Sequence, residues 1–457
     1  MRAQTFCLWQ PRGTRAALRM LRFGEVRCLS RLRGILSTPQ HVVIIGAGVV
    51  GAMSAFHCLA AGLRVTLVEP ETPGASQASS YGNAGWLSSH SVLPPAAPGV
   101  WKQVPVWLAD PLGPLSVRWR YLPRALPWLL RYLAAAWTYP QVERTAHALR
   151  SLLADAPGLH QQIAEQAGVA HLIERRGLLH VFLSREHFLL DAKAWEIRRK
   201  EGVNWQELDA QALAEQEPDL SRKYTFGVFV AETGSCRNPG AYTAALIHYA
   251  QAQGAKLVRA PATGFRLEQG RLKAVLLNDG EVLCDKAVIA VGARSKIFAS
   301  MAGDQVSLET ERGYHAVVTG TTTGPRVSTM FADCKVVVNS MDNGLRVAGQ
   351  VEIAQNDDTP NWRRAEILRD HLLALYPSLP RDLPVERVEI WMGRRPSTPD
   401  GLPCLGLASG SQDIIHAYGH GHVGLAGSAR TGRLVAQLAT GTPPEIDLTP
   451  FKPTRFR

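Results

Sequence analysis

Residues 41–69 read HVVIIGAGVVGAMSAFHCLAAGLRVTLVE, and this stretch decides the fold of the chain. Its start, Val42–Ile45, is a run of β-branched residues that is typical of a buried strand. A glycine-rich segment follows at once, and Ala52–Ala61 is then rich in small residues and predicts a helix that ends at Gly62. Because Arg64–Val68 predicts a second strand, we expect the stretch to form a βαβ unit.

The glycines between the first strand and the helix have the spacing of a dinucleotide-binding turn. Gly46 permits the tight turn, Gly48 permits close approach of a pyrophosphate, and Gly51 permits the helix to pack on the sheet. The first turn of the helix, with Val49 and Val50, offers free N–H groups and a partial positive charge to the phosphates. The alternative is a βαβ unit without a ligand, which we disfavour because both strands and the helix accompany the motif.

An acidic residue and a polar loop extend the motif. Glu69 lies 18 residues after Gly51, at the end of the second strand, where its carboxylate can accept hydrogen bonds from ribose hydroxyls. A loop dense in glycine, serine and asparagine follows and ends at Gly85. We expect its amides to cover a flavin ring, although a plain surface connection has the same composition. The motif by itself does not separate FAD from NAD.

The positive charge of the chain is concentrated at its start. Residues 1–40 contain eight arginines and a single acid, Glu25, and so contribute +7 of the formal +11. The remaining +4 is too small an excess for a basic footprint, so we expect no nucleic acid partner. The Arg-rich head resembles a mitochondrial transit peptide; a disordered upstream extension is the other interpretation. In either case we exclude it from the fold.

The seven cysteines are scattered, odd in number and without a CxxC pair. This pattern predicts no disulfide framework and no metal site, and it favours a reducing compartment. No run of 18 apolar residues is present that could span a bilayer. We therefore expect a cytoplasmic protein, with the mitochondrial matrix as the location if the head is a transit peptide.

Residues 86–137 hold six of the eleven tryptophans, together with an excess of basic over acidic residues. Tryptophan, arginine and leucine along one helix suit a peripheral contact with a membrane surface, such as an inner membrane. They equally suit the packed edge of a domain, which we favour slightly.

The order of the later elements separates FAD from NAD. A helix that begins at Pro239, a strand, a three-strand meander and a strand that ends before Gly292 complete a nucleotide-binding half, whereas an NAD dehydrogenase more often continues with alternating βα units. Gly292 can again lie near a phosphate.

The pattern also predicts one helix over Glu143–Ala167 and two strands, Val306–Arg312 and Tyr314–Thr319, on either side of a break.

These patterns predict an α/β protein with a Rossmann-like FAD-binding domain of the glutathione-reductase type. The second domain is expected to be a mixed, largely antiparallel sheet that covers the substrate. The expected divisions are residues 1–40 for the extension, 41–95, 218–300 and 391–457 for the FAD-binding domain, and 96–217 and 301–390 for the substrate domain.

Six motifs together resemble those of the FAD-dependent D-amino-acid oxidase and sarcosine oxidase superfamily, over Val42 to Leu448. They are GAGVVG with Glu69, SSYGNAG, RNPGAY, VIAVGARS, GRRPSTPDGLPCLG and GHGHVG. Within that superfamily, LPPAAPGV and RRPSTPDGLP are most similar to bacterial D-amino-acid dehydrogenases, including those that act on D-proline or hydroxy-D-proline.

The resemblance implies a role for each matching residue. Gly46, Gly48, Gly51 and Glu69 match positions that bind the ADP part of FAD. The residues that match the flavin and phosphate positions are Ser79, Gly82, Asn83, Ala84 and Gly85 beside the isoalloxazine, Gly292 at the phosphates, and Gly419, His420, Gly421, His422, Val423 and Gly424 under the pyrimidine end. Gly393 stands where monomeric sarcosine oxidases carry a flavin-linking cysteine, so the resemblance implies non-covalent FAD.

The expected reaction is oxidation of the Cα–N bond of a small D-amino acid, with hydride transfer to flavin N5 and hydrolysis of the imine to a 2-oxo acid and ammonia. Arg395 is the expected partner of the substrate carboxylate, with Arg394 as its rival. Tyr314 and His315 are candidates to orient the amine and close the pocket. His420 or His422 is expected to donate a hydrogen bond to the reduced flavin; the alternative is that a histidine there simply packs.

The expected partners are a small amino-acid substrate and a respiratory or other electron acceptor. Two alternatives remain open at this point. The first is a sarcosine- or glycine-type amine oxidase, and the second is a non-catalytic flavoprotein subunit or redox sensor. Oxygen as the acceptor is a further variant of the enzyme interpretation.

Overall fold

Residues 40–103, 112–113 and 115–456 are described by the computed structural model of the chain. The predictions for residues 1–39, and for the part of the tryptophan-rich segment that contains Trp107, lie outside the described residues.

The described strands form two large sheets and two small ones. They are β1 His41–Ile45, β2 Arg64–Val68, β3 Trp86–Leu87, β4 Leu115–Val117, β5 Ile173–Glu174, β6 Leu178–Phe182, β7 Gln206–Leu208, β8 Phe226–Val230, β9 Gly234–Cys236, β10 Lys256–Val258, β11 Ala262–Glu268, β12 Arg271–Leu277, β13 Gly280–Leu283, β14 Lys286–Ile289, β15 Glu309–Val318, β16 Thr329–Phe331, β17 Val336–Met341, β18 Gly344–Ile353, β19 Val388–Ser397, β20 Cys404–Leu407 and β21 Ile414–Tyr418.

The described α-helices lie between these strands. They are α1 Val49–Ala60, α2 Leu122–Ala135, α3 Tyr139–Leu153, α4 Ala156–Gln166, α5 Arg185–Leu189, α6 Ala192–Lys200, α7 Ala210–Gln216, α8 Pro239–Ala252, α9 Ser295–Met301, α10 Arg363–Leu375 and α11 Gly424–Thr440. None of these helices is long and apolar enough to cross a lipid bilayer.

The first large sheet has the strand order β10-β2-β1-β14-β21-β20 and is parallel except for the antiparallel edge strand β20. Strand β1 is buried on both faces, which explains its unbroken apolar sequence. Val42 and Ile44 pack against the helices, including α1 and α11, whereas Val43 and Ile45 pack on the side of the β11-β12-β13 meander. This arrangement confirms the predicted Rossmann-like domain.

The second large sheet has the order β19-β15-β18-β17-β16-β6-β8-β7, and β4 adds to β18. It is mixed, because the β16–β6 and β18–β4 pairs are parallel and the other pairs are antiparallel. One face buries valine, leucine and tyrosine side chains with helix α10. The opposite face carries the polar residues that are described below. The predicted mixed, largely antiparallel sheet is thus also confirmed.

Two predicted elements differ from the structure. The single helix expected over Glu143–Ala167 is wrong, because α3 and α4 are separated at Asp155, whose φ is 53°, and Pro157 lies in the first turn of α4. The break expected between Val306–Arg312 and Tyr314–Thr319 is also wrong. Strand β15 runs unbroken through Gly313, because it is paired along its length with β19 and largely with β18.

Strand pairing refines the expected divisions of the chain. Strand β8 was assigned to the FAD-binding segment 218–300, yet it pairs with β6 and β7 in the second sheet. Strand β19 crosses the expected boundary at residue 391 and pairs with β15 over its whole length. In both places the chain leaves the second sheet after the residue at which the division was expected, 218 or 391.

Candidate cofactor and substrate site

The turn between β1 and α1 requires glycine at two positions. Gly46 has φ 102°, and a Cβ there would lie 2.5 Å from the carbonyl oxygen of Ala290. A Cβ at Gly51 would overlap with the carbonyl oxygen of Gly46, so α1 packs closely on the turn. At Gly48 the only atom that a Cβ would meet is Ser80 Oγ, 3.8 Å away, which leaves open space beside the start of the helix.

The donors at this turn fit the phosphates of a dinucleotide. Helix α1 begins without a side-chain cap and without an acidic residue in its first turn, so its N–H groups, including those of Val49 and Val50, are available to an anion. The Glu69 carboxylate accepts from the N–H of Ala47 at 2.9 Å and from that of Glu71 at 3.1 Å. Glu69 is therefore fixed at the turn, where a ribose is expected.

The loop that ends at Gly85 is held by side chains of the second sheet. The ring Nδ1 of His315 donates to the Gly82 carbonyl at 3.1 Å, and this partner fixes the tautomer because a carbonyl only accepts. Asn339 donates to the Ala84 carbonyl at 3.1 Å. The Ser79 hydroxyl donates to the backbone carbonyl of Arg394 on β19.

A buried arginine that the sequence reasoning missed anchors the same loop. The Nη1 of Arg346 donates to the carbonyls of Tyr81 at 3.3 Å and Asn83 at 2.7 Å. Burial lowers the pKa of Arg346 to about 10, so it stays charged at neutral pH. The ring of Trp391 stacks on His315 with centroids 5.0 Å apart, directly where a Cβ at Gly82 would lie.

Arg395 lies on the polar face of the second sheet. In the β15–β19 register Arg395 is opposite Glu311, and its guanidinium lies across Gly313, where any Cβ would overlap with it. Arg395 is partly exposed, and it forms no hydrogen bond or ion pair with another described residue. Arg394 points the other way and donates to the Asn356 carbonyl at 3.0 Å and 3.2 Å. Of the two arginines, Arg395 is the one free to meet a ligand.

The two histidines of the GHGHVG turn have different surroundings. His420 is buried and its Nε2 lies 2.9 Å from Thr431 Oγ1 on α11, so its ring packs within the protein. His422 has an exposed ring, yet burial and then the positive charge of Arg395 lower its pKa to about 4. The charge of Arg395 acts on His422, so the two side chains lie near each other.

The glycines of the same region are backbone positions that a side chain would disturb. Gly292, Gly419 and Gly421 have φ of 56°, 85° and 51°. A bridge between Ser397 and His420 joins the turn to the end of β19. Val423 and Gly424 then lead into α11, which has neither a side-chain cap nor an acid in its first turn. The turn thus brings the start of α11 beside the strand that carries Arg395.

The two candidates Tyr314 and His315 lie on opposite faces of β15. His315 shares the Arg395 face, and burial, followed by the charge of Arg346, lowers its pKa to about 3, so it is neutral. Tyr314 lies on the opposite face, where its hydroxyl donates to Glu352 at 2.7 Å and accepts from the N–H of Asn361 at 3.1 Å. The structure therefore does not bring Tyr314 together with Arg395.

Comparisons with known proteins agree with this geometry. The model of a family described as FAD dependent oxidoreductase matches residues 41–438. A D-amino-acid oxidase of Bradyrhizobium diazoefficiens is 60% identical over 417 residues, which cover 91% of this chain and 99% of that protein. A D-amino acid dehydrogenase of Paramagnetospirillum magneticum is 30% identical and covers 91% of this chain and 98% of its own length.

Two solved structures share the fold. A glycine oxidase from Geobacillus kaustophilus has a TM-score of 0.68 at 21% identity and covers 91% of this chain and 99% of its own. An L-proline dehydrogenase from P. horikoshii has a TM-score of 0.69 at 18% identity and covers 92% of this chain and 98% of its own. The glycine turn, the anchored loop and the family match over most of the chain lead to one conclusion: the chain belongs to the FAD dependent oxidoreductase family and is an enzyme that uses FAD.

Proposed function

We propose that the chain oxidises the Cα–N bond of a small D-amino acid and gives an imine, which hydrolyses to a 2-oxo acid and ammonia. The observation that carries the proposal is the Arg395 guanidinium, which lies across Gly313 and near His422 and has no partner among the described residues. The 60% identical relative, a D-amino-acid oxidase, supports the substrate class.

Arg395 receives the substrate carboxylate in this proposal. A planar guanidinium can bind both carboxylate oxygens, which fixes the orientation of Cα as well as its distance. Burial lowers the pKa of Arg395, and the nearby Glu311 opposes this effect, so the cation is desolvated and gains from a bound carboxylate.

Bound FAD supplies the two-electron acceptor of the reaction. The turns at Gly46–Gly51 and Gly292 would hold its phosphates, and Glu69 would hold a ribose hydroxyl. The loop residues Ser79, Gly82, Asn83, Ala84 and Gly85 would contact its ring. The uncapped start of α11, reached through Gly419–Gly424, stabilises negative charge at the pyrimidine end. His422, neutral at pH 7, is available there as a donor.

The cofactor is held without a covalent bond in this proposal. A Cβ at Gly393 would overlap with the Trp391 ring, so a cysteine could not stand there without moving that ring. Denaturation and filtration should release all of the flavin from the polypeptide. A protein-bound flavin after denaturation would contradict this part of the proposal.

The electron acceptor is proposed to be a respiratory carrier or another protein, as in a dehydrogenase. The named relatives include both an oxidase and a dehydrogenase, so oxygen is the competing acceptor. Comparing dye reduction with peroxide formation at equal substrate separates them. Stoichiometric peroxide at a rate equal to that of dye reduction would assign the chain as an oxidase.

The second part of the proposal is a peripheral contact with a membrane through helix α2. Its buried side contains Trp128 and Tyr132, whereas Leu130 is 58% exposed and is followed by the exposed Arg131. Leu130→Glu should reduce cosedimentation with anionic vesicles, and Leu190→Glu, at a leucine 81% exposed elsewhere, should not. Equal effects of the two variants would remove this part.

The substrate class is tested anaerobically with the flavin absorbance as the readout. The panel contains D- and L-amino acids, D-proline, hydroxy-D-proline, sarcosine and glycine. Bleaching by D-amino acids alone supports the proposal and ranks the substrates. Bleaching by sarcosine or glycine alone moves the assignment to the amine oxidase alternative, and a bound flavin that no amine reduces moves it to a carrier or sensor.

A further inference from the structure

A buried carboxylate lies next to Arg395 and has no role so far. Glu311 on β15 is directly opposite Arg395 on β19, so both side chains project from the same face of the sheet. Glu311 is 9% exposed. The Arg395 guanidinium leans along the strand over Gly313, two residues from Glu311.

These two opposite charges face the same space but do not close onto each other. Neither Glu311 nor Arg395 forms an ion pair within 4.0 Å with any described residue. Burial raises the pKa of Glu311, and the charge of Arg395 and the hydroxyl of Ser397 offset this only in part. A buried anion without a contacting cation is unfavourable, so an incoming cation would be stabilised there.

The groups that cover this space from helix α2 do not neutralise Glu311. The Trp128 ring donates to the carbonyl of Ser397 at 3.1 Å, and the Tyr132 hydroxyl donates to the carbonyl of Pro95 at 2.9 Å. Burial and then the negative charge of Glu311 raise the pKa of Tyr132. Both donors are therefore engaged elsewhere, and neither hydrogen-bonds to the Glu311 carboxylate.

We propose that Glu311 receives the α-ammonium group of the substrate, so that Arg395 and Glu311 hold an amino acid by its two opposite charges. The inference deepens the proposed function and rests on it. An α-amino acid carries a carboxylate and an ammonium one carbon apart, which matches a fixed cation and a fixed anion that are near each other without touching. The site then selects zwitterions over carboxylates that lack an amine, such as 2-hydroxy acids.

The test compares two ligands in the holoenzyme. The apparent Kd of D-alanine comes from the concentration dependence of anaerobic flavin reduction, and the Kd of D-lactate comes from its perturbation of the flavin spectrum. In Glu311→Gln, D-alanine should bind on the order of 10–100-fold more weakly while D-lactate binding stays unchanged, because only the amine loses a charge-assisted partner.

Glu309→Gln is the matched control. Glu309 is two residues away on the same strand, but its carboxylate already accepts from the Tyr121 hydroxyl at 3.0 Å and from the Thr310 N–H at 2.9 Å. It carries the same charge change without facing a ligand, so the ratio of the two Kd values should stay as in the wild type.

Each outcome decides the inference. If Glu311→Gln weakens the binding of both ligands equally, Glu311 only positions Arg395. If it weakens the binding of neither, Glu311 has no role in binding. Both results overturn the proposal. If Glu311→Gln does not retain FAD, Glu311→Asp is measured instead, because its carboxylate keeps the charge but is one methylene further from the ligand. This variant should weaken the binding of D-alanine and not that of D-lactate, and an unchanged ratio of the two Kd values would overturn the proposal. A wild type that no D-amino acid reduces would instead contradict the proposed function.

Discussion

Gly313 shows how the absence of a side chain makes room for a neighbouring one. Glycine in the interior of a strand usually weakens the strand. Here the missing Cβ leaves the surface over which the Arg395 guanidinium lies, and pairing with β19 and β18 keeps the strand continuous. Glycine is thus required at this position because the Arg395 side chain occupies the space of a Cβ. The backbone itself does not require glycine, because its φ is not positive.

Gly313→Ala should therefore displace Arg395 while leaving the fold intact. We expect KM for a D-amino acid to rise about 10–100-fold, which corresponds to about 1.4–2.8 kcal/mol of lost carboxylate binding. Steady-state kinetics with a dye acceptor measures this. Gly264→Ala is the control, because a Cβ there meets only ordinary contacts at 3.5 Å and beyond, and an equal rise in KM in that variant would contradict the explanation.

At the scale of elements, the loop that ends at Gly85 takes its shape from a strand far away in sequence. Arg346 donates to two of its carbonyls, and Asn339 donates to a third. Arg346→Met leaves the partly buried carbonyls of Tyr81 and Asn83 without that donor. We expect about 2–4 kcal/mol of lost stability and at least tenfold weaker FAD binding, because a buried acceptor without a partner is costly.

Thermal unfolding and FAD titration of the apoprotein measure both effects. Asn339→Ala removes one neutral hydrogen bond and should cost about 1 kcal/mol with a smaller change in FAD affinity. If Arg346→Met bound FAD as tightly as the wild type, the loop would not depend on this anchor.

Helix α8 offers a prediction that is confined to stability. The Asn238 Oδ1 accepts from the Ala241 N–H at 3.0 Å and caps the helix, as its position before Pro239 suggests. Asn238→Ala should lower the free energy of unfolding by about 1 kcal/mol, and Asn238→Ser should restore most of it. Urea unfolding monitors this, and a larger loss in the serine variant than in the alanine variant would contradict the capping role.

Local sequence patterns predicted the elements that local forces form. The β1-α1-β2 unit and the start of α8 at Pro239 have short-range causes, and both are present in the structure. The break expected at Gly313 did not occur because strand pairing on both sides outweighs the low strand preference of glycine. Glu311 and Arg346 escaped notice because their partners lie on other strands, which no pattern within their own strands reveals.

At the scale of the whole molecule, buried histidines make stability depend on acidity. Burial lowers the pKa of His160 and of His420 to about 4 from an ordinary 6.5. Between these values the unfolded chain binds more protons than the folded one, so stability is full above about pH 6.5 and is lost as the pH falls toward 4. Each histidine can account for about 2–4 kcal/mol once the pH reaches 4.

The urea midpoint should therefore fall steadily from pH 7 to pH 4.5, with net proton uptake on unfolding. His160→Gln should reduce that uptake by close to one proton at pH 5, because glutamine does not titrate. Its side-chain amide can still donate to the carbonyl of Leu425, which is the partner of His160 Nε2. A midpoint that does not change over this range would show that these rings are not held neutral in the fold.

The central claim is that Arg395 presents a D-amino acid to FAD, and one measurement tests it directly. The rate of anaerobic flavin reduction is followed with D-alanine and L-alanine in the wild type and in Arg395→Met, with bound FAD confirmed in both by the visible spectrum. We expect rapid reduction by D-alanine alone in the wild type. In the variant, the reduction rate per unit of substrate concentration should fall by at least about 100-fold. Equal reduction by the two proteins, or by the two enantiomers, would contradict it.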